Sequence, residues 1–148
     1  MQKNMNKKVE KLKERIEEIS HLVSISSLLS WDQEVMMPKK AIDLRAKSSA
    51  HLAGIIHKKF IDINSDGLLT DLKTQLDRGN FDSKESAIVF ETWKEFEREN
   101  KLTESFVKEL AETASKAQSV WAKAREDNNF SLFLPYLSQI VKLKRKEA

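Results

Sequence analysis

KKVEKLKERIEEISHLVSISSLLSW, residues 7–31, sets the helical character of the chain. Val9, Leu12, Ile16, Ile19, Val23 and Ser26 recur at intervals of 3, 4, 3, 4 and 3, which places them along one face of an α-helix. A second stripe of Leu22, Ile25, Leu28 and Leu29 widens the apolar arc toward Trp31. That widening predicts that the C-terminal end of this helix is its more buried end. Pro38 disfavours helical geometry at Met37 and marks the break.

The same periodicity continues downstream. A second helix, about Lys40 to Phe60, carries Ile42, Ala46, Ser49, Ala50, Ala53, Ile56 and Phe60, small enough in its middle for close helix approach. Asp66-Gly67 reads as a turn, and a short helix over Leu68 to Asp77 stops at Gly79, where a left-handed cap is expected. Asp82 with Glu85 three residues on resembles a capping box for a fourth helix bearing Ile88, Val89, Phe90, Trp93 and Phe96. Thr103 is the expected N-cap of a fifth, whose Phe106, Leu110, Ala114, Ala117, Trp121 and Ala124 share a face up to Asn128-Asn129. The last helix starts near Phe130, tolerates Pro135 in its first turns, and runs out at "KLKRKEA" without a cap. Nothing alternates with period two. The expectation is an all-α fold, an antiparallel array of about five to six helices in a single domain over residues 1–148.

Composition agrees. The 148 residues are 33% charged and 40% hydrophobic, with three glycines and two prolines. The 26 basic and 23 acidic residues are interspersed, which argues against a nucleic-acid or membrane surface. No cysteine occurs, so disulfides, thiolate metal sites and cysteine nucleophiles are excluded. The first residues are charged throughout, unlike a signal peptide, and no apolar run approaches the roughly 18 residues of a membrane span. The cytoplasm is the expected location.

Catalytic patterns are hard to find. His51 and His57 lie six apart and project to opposite sides of a helix; Glu17 and His21, four apart, could chelate only weakly. HExxH is absent, and zinc needs three protein ligands. Ser24, Ser26, Ser27, Ser48 and Ser49 sit inside helices with no nucleophile elbow. Lys142, Lys144, Arg145 and Lys146 read as a solvated helix face. The distinctive stretch is LLSWDQEVMMPKKA, residues 28–41. Asp32 and Glu34 point to different faces of a helix and cannot form a carboxylate pair there. Trp31 is expected to plug the helix end, Met36 and Met37 to fill an irregular gap, and Asp32 and Gln33 to satisfy loose backbone groups.

SWDQEVMMP, residues 30–38, resembles the N-terminal motif of the thermostable (Taq-type) zinc metallocarboxypeptidases, which typically read SWDQETMMP. RAKSSAHLAGIIHKKF (residues 45–60) is similar to that family's following helix, and residues 93–145, with NFSLFLPYL among them, resemble its next long stretch. Lys39 and Lys40 stand where the family often has Pro-Gly, which implies an earlier start for the second helix.

The resemblance implies a mostly helical enzyme, several times longer, with zinc at the base of a long groove. It implies a homodimer that removes C-terminal residues from peptide substrates, proline being resisted. In that family two histidines and a downstream glutamate hold zinc, and the glutamate of HExxH activates water. All of these elements lie C-terminal to Ala148, so none transfers to a residue here. The chain itself is expected to bind no cofactor and to form the lid or wall of the groove without its catalytic part. Trp31, Asp32, Gln33, Met36, Met37 and Pro38 would then shape the groove edge or brace the corner. By this reading the chain is an N-terminal fragment, inactive alone, that pairs with a C-terminal remainder or with a second copy. The alternative is a freestanding helical interaction module derived from the same fold. Helices lacking their usual neighbours should strand apolar surface, with Leu137, Ile140, Val141 and Leu143 the expected residues.

Overall fold

A computed structural model describes residues 2–147, with side chains from Met5 onward. Six α-helices follow one another: α1 (Gln2–Val35), α2 (Ile42–Ile61), α3 (Leu68–Asp77), α4 (Ser83–Glu99), α5 (Glu104–Glu126) and α6 (Leu134–Glu147). Short 3-10 turns at Lys39–Ala41, Asp62–Asn64 and Phe130–Leu132 precede α2, follow α2 and precede α6. No strand occurs among the described residues. The all-α expectation holds. The residues divide between two compact units, one holding the chain up to Val23 with Ile56–Leu102, the other Ser24–Ile55 with Thr103 onward.

The first unit is built on the stripe read from the sequence. Val9, Leu12 and Ile19 of α1 are buried with Ile63, with Leu68, Leu69 and Leu72 of α3, and with Val89 of α4. Ile16, Phe60, Trp93 and Phe96 pack around them. Each fully buried aliphatic side chain contributes about 1.5–3 kcal/mol.

Polar staples hold the turn between α2 and α3. Arg15 donates from Nη1 to Asp66 Oδ1 (2.9 Å) and from Nη2 to Oδ2 (2.7 Å), and its Nη1 also reaches the Ile63 carbonyl (2.6 Å). Lys11 Nζ adds a third donor to Asp66 at 2.8 Å. Gly67 follows with φ 73°, the left-handed geometry that a residue without Cβ adopts at no cost. Gly79 (φ 70°) ends α3 in the same way. Asp82 Oδ1 then accepts from the Lys84 and Glu85 amides (2.9 and 2.8 Å), capping α4 where expected.

The second unit has a thinner core of small residues. Ala46 and Ala50 of α2, Thr113, Ala117 and Ala124 of α5, and Leu143 of α6 are buried. α5 packs on α6, where Gln139 Nε2 donates to Thr113 Oγ1 at 3.2 Å. Gly54 of α2 permits a close approach: a Cβ there would lie 2.2 Å from Lys108 Cε. Thr103 caps α5 by accepting from the Phe106 amide (3.2 Å).

Three expectations are corrected here. α1 runs on to Val35, four residues beyond the expected end at Trp31, because nothing before Met37 forbids helical geometry. Its C-terminal end is its more exposed end, since only part of the second stripe finds cover: Leu22 and Leu29 are half-buried, while Ile25 and Leu28 lie in the open. In α6, Leu143 is 2% exposed, and Leu137 and Ile140 are half-buried; of the four residues expected to be stranded, Val141 alone is exposed.

Candidate functional site: the corner after the first helix

Residues 31–38 join the end of α1 to the 3-10 turn before α2. Asp32 is still helical, and its carbonyl accepts from both the Met36 and Met37 amides (2.9 and 2.8 Å), which closes the helix. Pro38 sits in extended geometry (φ −59°, ψ 135°), and its carbonyl accepts from the Ala41 amide at 2.9 Å. The chain reverses here because proline cannot continue the helical ladder.

Arg45 locks the reversal. Its guanidinium donates from Nη1 to the Leu29 carbonyl and from Nη2 to Asp32 Oδ2. The side chain of Arg45 is largely buried, while Asp32 keeps about a third of its side chain in water, so this charge-assisted pair is partly screened.

Gln33 makes the second tie. Its Nε2 donates to the Ser115 carbonyl (3.0 Å) and to Gln118 Oε1 (2.7 Å), and its Oε1 accepts from Ser115 Oγ (2.7 Å). Gln118 Nε2 in turn donates to Glu34 Oε1 at 2.6 Å. The amide of Gln33 is thus bonded at both ends and pins α1 to α5.

The motif is a brace, and both of its carboxylates are engaged. Asp32 does not satisfy loose backbone groups with its side chain, as expected; Arg45 takes it up. Gln33 does bond a backbone carbonyl. Trp31 does not plug the helix end: it is 57% exposed, and Met36 is 69% exposed, while Met37 is half-buried. The outward placement of Trp31 follows from the helical register, which turns Gln33 toward α5 and Trp31 away from it. The sequence offered no sign of Arg45, Ser115 or Gln118 as partners. They lie 13, 82 and 85 residues away, and nothing local links them to the motif.

Metal ligation requires three donors converging on one point. His21 Nε2 lies 3.9 Å from Glu17 Oε1 with both side chains about three-quarters exposed, and His51 is exposed elsewhere on α2. His57 is buried, and its Nδ1 lies 3.2 Å from Glu99 Oε2. Among the described residues no three His, Asp or Glu side chains gather as an ion would demand. The donor set does not fit a zinc centre. No helix among the described residues is long and apolar enough to cross a membrane.

The chain matches the Carboxypeptidase Taq (M32) metallopeptidase family over residues 11–148. It is 31% identical over 133 residues to thermostable carboxypeptidase 1 of Thermus thermophilus, covering 88% of this chain and 26% of that protein. It is 29% identical over 131 residues to carboxypeptidase 1 of Bacillus subtilis, with the same two shares. The crystal structure of BsuCP superposes with a TM-score of 0.82 at 27% identity, over 97% of this chain and 28% of that one. The chain thus spans about a quarter of the length of the curated relatives it matches, in their N-terminal portion. By its match over residues 11–148 and its 31% identity to the Thermus thermophilus enzyme, the chain belongs to the Taq-type (M32) metallocarboxypeptidase family.

Proposed function

We propose that these residues form a wall of the substrate groove in a zinc metallocarboxypeptidase that removes C-terminal residues from peptides. In this reading the zinc ligands lie on polypeptide beyond this sequence, and the chain alone is inactive. The carrying observation is the family match over residues 11–148, together with a share of 26% of the relatives' length. The corner of Trp31, Asp32, Gln33, Met36, Met37 and Pro38 then holds the groove edge in place through Arg45 and α5. A homodimeric enzyme with the cytoplasm as its location completes the reading, by likeness to the family.

The test is a chimera in which this chain replaces the matched N-terminal quarter of the Bacillus subtilis enzyme. With zinc supplied, release of C-terminal residues from a peptide is expected from the chimera and not from the 148-residue chain. Hydrolysis by the isolated chain would overturn the reading. A freestanding helical interaction module is the second reading, favoured by the closed core of the first unit. It requires an inactive chimera and an isolated chain that stays monomeric.

A further inference from the structure

Helix α1 changes character along its length. From Lys7 to Glu18 charges alternate with the buried stripe, whereas from Ile19 to Trp31 no Asp, Glu, Lys or Arg occurs. Within the second unit the two sides of this uncharged segment differ. Ser26, Leu29 and Gln33, spaced by 3 and 4, are half-buried and face α2 and α5, where the Leu29 carbonyl and the Gln33 amide find their partners. Away from these, Leu28, Trp31 and Val35, spaced by 3 and 4, form one stripe, with Ile25 at its margin and Met36 just past the helix end. These five are exposed, Leu28 by 63%.

A helix whose uncovered side carries large apolar side chains and no charge belongs against further protein, because a solvent-facing side normally carries charge. This chain supplies cover for one side. The solved relative has more than twice as much further polypeptide: the chain occupies 28% of BsuCP, and superposes with a TM-score of 0.82. The geometry points to the Ile25–Met36 stripe as the docking surface for the C-terminal, zinc-carrying portion of a metallocarboxypeptidase, with Trp31 as the central anchor. The inference rests on the proposed function above and names the partner's seat. Large aromatics at the centre of an interface carry a disproportionate share of its energy, and Trp31 is flanked by aliphatic side chains that would exclude water around it. The occupant is therefore an apolar surface of another polypeptide. The stripe offers no charge to attract a nucleic acid or a lipid headgroup.

Hydroxyl-radical footprinting read by peptide mass spectrometry tests this on the isolated chain and on the chimera with the Bacillus subtilis enzyme. Trp31 and Met36 should oxidise readily in the isolated chain and several-fold more slowly in the chimera. In parallel, Leu28→Asp should leave the helical circular dichroism of the isolated chain unchanged, because the side chain is already in water. In the chimera the same substitution should lower the yield of folded enzyme about tenfold or more, the scale of a lost interface hot spot. An active chimera whose Trp31 and Met36 oxidise as fast as in the isolated chain overturns the inference and leaves the proposed function standing. Protection that appears in the isolated chain as its concentration rises assigns the stripe to a second copy and overturns it too. A chimera that is inactive and unprotected defeats both readings together.

Discussion

Asp66 shows how much a single side chain can organise. Arg15 and Lys11 both donate to its carboxylate, and the Leu68 amide adds a longer bond at 3.3 Å. The Arg15 guanidinium, with Lys11 next, holds this carboxyl far below the usual carboxylate range. A group lowered in the folded state stabilises above its unfolded value of about 4 and loses that contribution as the pH falls below it. The first unit should therefore weaken below about pH 4, and Asp66→Asn should flatten that dependence while lowering the urea midpoint at neutral pH. The loss should be modest, since the side chain is 41% exposed and water screens the pair. Urea titrations of both proteins from neutral to acidic pH give the comparison; parallel curves would show that Asp66 is not the titrating group. The turn itself was legible, because Asp-Gly is a local signal. The clamp was not, because Arg15 lies 51 residues away.

At the scale of the element, the stops and starts were the most readable features. Gly79, Asp82 and Thr103 occupy the cap positions read from sequence, since a cap is a bond between neighbours a few residues apart. Asp82→Ala should cost about 1 kcal/mol, visible as a lower urea midpoint with an unchanged slope, and Asp82→Asn should cost far less. Equal losses in the two variants would show that charge at the helix start matters more than the cap bonds. The end of α1 lies beyond its expected place for a related reason. Trp31 and the polar triplet after it look like a junction, yet the real barrier is Pro38, which constrains Met37 and nothing earlier. The corner is held by Arg45, Ser115 and Gln118, and their roles depend on where three helices meet.

At the scale of the whole molecule, exposed apolar side chains gather at the end of α1. Leu28, Trp31 and Val35 stand together on α1 with Met36 just past its end, and monomers seldom expose contiguous apolar patches beyond a few hundred Å2. The isolated chain should therefore bind a hydrophobic dye such as anilinonaphthalene sulfonate at neutral pH. Replacing Leu28 and Trp31 with serine should remove most of that signal without loss of helix content. Unchanged dye fluorescence in this double variant would place the binding elsewhere, for example around Phe130 and Leu134, which are also exposed.

Helix positions, caps and the absence of strands were written locally, in period-3.6 stripes and in residues such as Gly67, Gly79 and Asp82, because backbone hydrogen bonds in helices span only four residues. The corner residues announced themselves as a motif, and their likeness to the metallocarboxypeptidases was visible in their order. Which stripe of α1 is covered was beyond the reach of pattern. Val9, Leu12 and Ile19 are buried because α3 and α4 fold back over them, while Ile25, Leu28 and Trp31, equally apolar, meet no such cover. Burial is a property of what arrives from far along the chain, and only the folded arrangement brings it into place.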